Sequence, residues 1–370
     1  MKTKAAVVYE PGKRIEIEEL DLDGPKDGEV LIRYTHAGLC HSDIHVAHGD
    51  LEARLPLVLG HEGAGIIEEV GPGVTRVKPG DHVVCSFIPN CGTCRYCATG
   101  RQSICDMGAT ILEGYLPGER FPLTGPRGQY GAMCMIGTFS QYGVISQTSA
   151  VKVDDDLPLD KAVLVGCGVP TGWGSAVYTA KVTPGDTVAV FGIGGIGINA
   201  VQGARYAGAK NVVAVDPLEN KREKAMEFGA THAFATAEEA QAAITELTRG
   251  QGADSAILTV GLMTAEVVEA GFYAVGKDGV VVVTGQNKLF EPTIQLPGTI
   301  LTSYRKTVKG SLFGDCNPTY DIPKLLGLYQ AGDLKLDEII TRTYTLDEVN
   351  EGYDDLLAGK NVRGVVVHEH

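Results

Sequence analysis

No run of about 20 apolar residues occurs in the 370-residue chain, so no helix able to cross a bilayer is expected. Basic residues are scarce. Only 32 Lys and Arg stand against 46 Asp and Glu, a formal net charge of −14. That excludes the basic face that nucleic acid needs and disfavours an anionic membrane surface. Repeats and low-complexity stretches are missing, and the 48 Gly and 17 Pro follow no short period, which excludes collagen-like and disordered chains. No export leader is expected. The opening MKTKAAVVYEPG is charged at once and reaches Pro11 without a long apolar run, so it reads as a first strand and turn. A cytoplasmic protein is expected.

What remains is 44% apolar and 21% charged, enough to bury the cores of two domains. The first 160 residues or so carry short β-rich runs at 5–9, 29–34, 63–70 and 81–87, separated by turn signals such as GPGVTRVKPGD. This predicts an irregular, mainly β domain, with 113–131 as a long surface loop. From about residue 170 strands alternate with helices. TVAVFG (187–192), NVVAVD (211–216), DSAILTV (254–260) and GVVVVTG (279–285) are strands, and 198–209 and 221–230 are helices. That alternation predicts an α/β domain, a doubly wound parallel sheet. Beyond about 312 come helices at 320–332 and 346–360 and a last strand at 362–370, with the tail rejoining the first domain. The expected division is therefore 1–169 with 313–370, and 170–312.

Nine Cys, an odd number, in a chain expected to stay in a reducing compartment favour metal ligation over disulfides. Cys91-x2-Cys94-x2-Cys97-x7-Cys105 can close four thiolates around one structural Zn²⁺. The alternatives are free surface thiols or an iron–sulfur site, and the open-loop context suits zinc better. A second set is dispersed: Cys40 in GLCHSDIH, His61 in GHEGAG and Cys167 in GCGVPTGWG. Two thiolates and an imidazole would leave the fourth position that a catalytic zinc keeps open. Cys85, Cys134 and Cys316 read as packing thiols.

Gly192-Ile193-Gly194-Gly195-Ile196-Gly197 follows a predicted strand and opens a predicted helix, and Asp216 ends the next strand 24 residues after Gly192. In that context the pattern is a dinucleotide fingerprint. The glycines bring the helix N-terminus to a pyrophosphate. Asp216 would hold the adenosine ribose hydroxyls and repel a 2′-phosphate, which favours NAD over NADP.

Taken together, GLCHSD, GHEGAG, the four-Cys loop, GCGVPTG, GIGGIG and GKNVRGV, in that order, resemble the zinc-containing medium-chain alcohol dehydrogenases over nearly the whole chain. The resemblance implies a GroES-like catalytic domain beside a Rossmann domain. CSFIPNCGTCRYC, DMGATILEG and GAMCMIGTF are most similar to the actinobacterial nicotinoprotein branch. Members of that branch hold NAD through turnover and pass electrons to an external acceptor such as a nitrosoaniline dye.

By position, the resemblance assigns Cys40, His61 and Cys167 to the catalytic zinc, and Cys91, Cys94, Cys97 and Cys105 to the structural one. Glu62 matches an acid behind the catalytic zinc that can ligate it transiently, and Asp43 a carboxylate that orients His61. Ser42 matches the hydroxyl that takes the alcohol proton, and His45 the imidazole that relays it to solvent. Thr171 lies where the family packs a threonine by the nicotinamide. His41 and Arg363 match pyrophosphate contacts, Lys221 an adenosine-ribose contact, and Phe87 a pocket wall. The implied chemistry is reversible oxidation of an alcohol to an aldehyde, with two Zn²⁺ and one NAD per subunit in a homo-oligomer. An ordinary enzyme with exchangeable NAD⁺ is one alternative. Another is a glutathione- or mycothiol-adduct formaldehyde dehydrogenase, but Leu51 and Ala109 stand where the glutathione branch carries its charged residues, although Glu52 adjoins the first. A non-catalytic zinc- and NAD-binding sensor is a remote third alternative, since every catalytic position is filled.

Overall fold

Short runs of Val, Ile and Leu separated by Gly and Pro turns build two sheets from the first part of the chain. The structure is a computed structural model and describes residues 1–370 except 290, 292 and 293. The chain divides into two compact units, Met1–Cys167 with Asn317–His370, and Gly168–Cys316.

In the first unit, Lys2–Val8, Glu16–Leu22, Leu123–Gly125, Gly128–Ala132 and Leu57–Val58 close a small barrel. Its core includes Val7, Leu20, Leu22, Leu116, Leu123 and Tyr130. The stretch 113–131 is thus not simply a surface loop, because it holds the hairpin that completes the barrel. Gly and Pro dilute its apolar alternation, so its sequence carries the pattern of a turn. The second sheet runs Ala150–Lys152, His82–Cys85, Gly63–Val70, Glu29–Gly38, Arg363–Val367, Ile340–Thr345, with Tyr142–Ser146 also paired to Glu29–Gly38. The C-terminal strand therefore joins the N-terminal sheet, Val366 lying opposite Ala37.

The second unit is a six-stranded parallel sheet in the order His232–Phe234, Asn211–Val215, Thr187–Phe191, Ala253–Leu258, Val275–Val283, Thr307–Gly310. The strands Thr187–Phe191 and Asn211–Val215 are buried at every residue, as in a sheet covered on both faces. The winding reverses between Thr187–Phe191 and Ala253–Leu258, whose ends Phe191 and Leu258 are in register. Ligands bind such folds outside the carboxyl ends of the strands at this reversal. No helix of the described residues is long and apolar enough to cross a membrane.

Candidate metal centres and nucleotide loop

The chain from Cys91 to Cys105 is wound by a single helical turn, Arg95–Ala98, and a short 3₁₀ turn, Gln102–Ile104. The winding turns four thiols inward. Cys91 and Cys97 Sγ lie 3.9 Å apart, as do Cys94 and Cys105. A tetrahedron with metal–sulfur bonds of about 2.3 Å has edges of about 3.8 Å. A disulfide would need about 2 Å. The four sulfurs therefore have the spacing of one zinc site. Backbone N–H groups prepare the thiolates: those of Thr93 and Cys94 donate to Cys91 Sγ at 3.4 and 3.2 Å, and that of Cys97 donates to Cys94 Sγ at 3.4 Å. Partial burial would raise the Cys91 thiol, but these donors outweigh it and bring it down to about 6. Burial pushes Cys105 up to about 12.

The second centre draws on three separate places in the sequence. Cys40 precedes the helix His41–His48, His61 precedes the strand Gly63–Val70, and Cys167 follows the 3₁₀ turn Val163–Gly166. All are buried, and their ligand atoms lie within 4.8 Å of one another and of a Glu62 oxygen. Nδ1 of His61 faces Asp43 Oδ1 at 3.2 Å, while Nε2 is buried and has no hydrogen-bond partner among the described residues. An orphaned buried nitrogen among thiols is what a metal would satisfy. The protonation of the group fits a cation too. The hydrogen bond from Cys167 is the largest influence holding the Cys40 thiol well below its usual value, with His61 adding to it against burial. The same bond raises Cys167. Behind them Glu62 and Arg363 form a fully buried ion pair. Burial pushes the Glu62 carboxyl up to about 7 against the pull of Arg363.

Around this centre, Ser42 Oγ lies 4.0 Å from Cys40 Sγ. His45 is buried, and its Nδ1 is 3.0 Å from Asp50 Oδ2. The Phe87 ring stands edge-on to His61, with centroids 5.8 Å apart, and Leu51 is half-buried with its N–H bonded to the His45 carbonyl at 3.2 Å. The His41 and His45 rings are 6.2 Å apart. The structure thus brings Ser42, Asp43, Glu62 and Phe87 into the neighbourhood of the ligand set and sets His45 against Asp50 and His41. Arg363 is not an exposed cation, since its guanidinium is buried against Glu62. Asp50 was missed by sequence reasoning, although an acid five residues after His45 was a signal to be had.

In the second unit, Gly192 leaves the strand at φ +87, a conformation that favours glycine. A Cβ on Gly197 would meet the Gly192 carbonyl oxygen at 1.9 Å, whereas one on Gly194 would meet nothing within 4 Å. Gly194 therefore leaves open space at the start of the helix Gly195–Tyr206, a cradle suited to a pyrophosphate. Asp216 holds the loop from below: Oδ2 accepts the Ile193 N–H at 2.7 Å and Oδ1 that of Leu218 at 3.0 Å. Each oxygen retains acceptor capacity for a ribose hydroxyl. Two contributors were not foreseen. Thr259 Oγ1 donates to the Gly192 carbonyl at 2.6 Å, and Arg222 Nη1 donates to the Asp216 and Pro217 carbonyls at 2.8 Å. Lys221 is half-buried on the helix Glu219–Glu227, which also carries Arg222, and Thr171 is buried in the helix Gly168–Gly174.

The family model of the alcohol dehydrogenase GroES-like domain matches residues 26–155, and that of the zinc-binding dehydrogenases matches 195–331. A protein named NDMA-dependent alcohol dehydrogenase, from Amycolatopsis methanolica, is 64% identical over all of this chain and 99% of its own length. The chain belongs to the zinc-containing medium-chain alcohol dehydrogenases. Among solved structures, an alcohol dehydrogenase zinc-binding domain protein from Burkholderia ambifaria superposes with a TM-score of 0.93 at 33% identity. Benzyl alcohol dehydrogenase from Acinetobacter calcoaceticus gives 0.92 at 32%. Both cover the whole of each chain. The enzyme is thus an oxidoreductase acting on CH–OH groups. Its Cys91, Cys94, Cys97 and Cys105 fit the structural zinc, and its Cys40, His61 and Cys167 fit the catalytic one.

Proposed function

We propose that the enzyme oxidises primary alcohols reversibly to aldehydes, keeping NAD bound through turnover and returning electrons to an external acceptor. The buried pair of thiols around the open Nε2 of His61 carries the reading of the chemistry. The identity to a relative named for NDMA dependence supports the external acceptor. When bound, zinc supplies Lewis acidity at the alcohol oxygen and NAD accepts the hydride.

The chain's own residues do the rest. Cys40, His61 and Cys167 hold the metal, and Asp43 keeps His61 in the tautomer that presents Nε2. Ser42 takes the alcohol proton and His45 relays it. The His45 ring is itself buried, so the exit to water runs past Asp50, whose side chain is 23% exposed. Phe87 and Leu51 wall the apolar side of the pocket, and excluding water strengthens each charge interaction there. His41, Thr171, Lys221 and Arg363 are NAD contacts on the family resemblance, beside Gly192, Gly194, Gly195, Ile196, Gly197 and Asp216. In this reading residues 1–169 with 313–370 are the catalytic domain and 170–312 the NAD-binding domain. The same resemblance makes the enzyme a cytoplasmic homo-oligomer.

The test is NAD(H) released by denaturing protein purified without added cofactor, together with benzyl alcohol oxidation by a nitrosoaniline dye. About one NAD(H) per chain and dye-linked turnover without added NAD⁺ are expected. Protein free of NAD(H) that turns over only with added NAD⁺ would replace this reading with an ordinary exchangeable-cofactor enzyme. Full turnover by zinc-depleted His61→Ala would overturn the assignment of the catalytic metal.

A further inference from the structure

Two buried polar atoms in the first unit are each left without a hydrogen-bond partner among the described residues, and they are complementary. One is an acceptor. Asp43 is fully buried, and both of its close contacts fall on a single oxygen: Oδ1 accepts the Gly60 N–H at 3.0 Å and faces His61 Nδ1 at 3.2 Å. Its Oδ2 has none. The other atom is a donor, the hydroxyl of Tyr353, also buried and unpartnered. Tyr353 comes from the helix Val349–Leu357, more than 300 residues along the chain. Its ring packs edge-on against Phe139, with centroids 6.1 Å apart.

The two atoms share one part of the core: Gly60, whose N–H bonds Asp43, is so close to Phe139 that a Cβ on it would lie 2.9 Å from the ring, and that ring is the one Tyr353 packs against. Burial raises the Tyr353 phenol most, and the charge of Asp43 comes next, ahead of those of Cys40 and Glu62. A phenol that stays protonated is a lasting donor, and a buried carboxylate oxygen is the acceptor that most needs one.

We propose that Tyr353 is a positioning residue of the zinc site, its hydroxyl donating to Asp43 Oδ2 and thereby fixing the carboxylate that fixes His61. Phenylalanine at 353 would fill the same space and leave Asp43 free to rock about the His61 contact. Partners that orient metal ligands in this way change metal affinity by about 10–100-fold when removed. The inference rests on Cys40, His61 and Cys167 being zinc ligands, and the test keeps the two apart.

Zinc transfer to a chelator is followed for the full-length, zinc-loaded protein, in which two sites give two phases. The phase missing from His61→Ala is the catalytic one, and the absence of any such phase would refute the ligand assignment itself. With that phase identified, Tyr353→Phe is expected to accelerate it about tenfold. The four-Cys phase should be unmoved, and the d–d bands of the cobalt-substituted catalytic site should shift. In an Asp43→Asn background the same substitution should add nothing. A Tyr353→Phe protein with the original release rate and cobalt spectrum would overturn the proposal. So would equal acceleration of both phases, or the same effect in both backgrounds. If Asp43→Asn does not fold, the cobalt spectrum of Tyr353→Phe decides alone, because loosened packing elsewhere does not change the ligand field.

Discussion

Acidification should weaken this fold through one histidine near its C-terminus, and the size of the effect follows from two atoms. His368 is buried. Its Nε2–H donates to the Thr138 carbonyl at 2.9 Å, while Nδ1 is buried with no hydrogen-bond partner among the described residues. The neutral ring is therefore satisfied at its donor. A second proton would have to sit on Nδ1 with no acceptor in reach. Burial, with smaller contributions from His370 and His36, brings the group down from 6.5 to about 4 despite the Thr138 contact. The unfolded chain binds this proton below about 6.5 and the folded chain only near 4. Unfolding in that window takes up a proton, so stability falls as pH falls. The slope is about 1.4 kcal/mol per pH unit, and the ceiling over the window is about 3 kcal/mol. His368→Gln keeps an N–H for Thr138 and cannot titrate. Urea unfolding of both proteins at pH 7 and pH 5 should show the stability difference moving in favour of the variant by about 2 kcal/mol. Metal loss, the carboxylates, His36 and His370 are common to both proteins and cancel. A difference that is the same at both pH values would refute the argument.

Cys91→Ser should lower the zinc content from two to one per chain and cut thermal stability, read by metal analysis and calorimetry, because a structural zinc contributes directly to folding free energy. Gly197→Ala sets a Cβ 1.9 Å from the Gly192 carbonyl and should abolish NAD retention while leaving both zinc ions in place, measured as cofactor and metal per chain. Lys306→Met removes the Nζ that donates to the Phe272 and Val275 carbonyls at 2.6 and 2.7 Å. Leaving two carbonyls unpaired there should cost about 1–3 kcal/mol in urea unfolding. Asp50→Ala removes the carboxylate that contacts His45 Nδ1 and should reduce kcat about tenfold with little change in KM, whereas an equal fall in kcat/KM caused by KM alone would assign Asp50 to substrate binding.

How much of this was legible in the sequence depends on how far apart the cooperating residues lie. The four-Cys loop could be read directly, because all its ligands fall within fifteen residues and the spacers set the geometry. The strand, glycine turn, helix and terminal acid around Gly192 and Asp216 could also be read, since each part is local and periodic. Cys40, His61 and Cys167 are individually unremarkable; they read as a ligand set only together, and the family resemblance assigns that set to one zinc. The hairpin at Leu123–Gly125 and Gly128–Ala132 was hidden because its burial comes from strands elsewhere in the barrel rather than from its own alternation.

The residues that sequence reasoning passed over share one property, which is that they act through a neighbour supplied by the fold. Arg222 reads as one more charge on a solvated helix until its guanidinium is found on the Asp216 carbonyl. Tyr353 reads as an apolar-face residue of the helix Val349–Leu357, and it does pack as one, against Phe139. Only its hydroxyl is unusual, and nothing adjacent in sequence indicates that a carboxylate waits for it. Motifs reveal groups that must touch metal or cofactor, because ligand geometry constrains their spacing. Groups that hold those residues in place are constrained only by where the sheets bring them. The hydroxyl of Tyr353 and the second oxygen of Asp43 became visible only as two unpaired atoms in the same core.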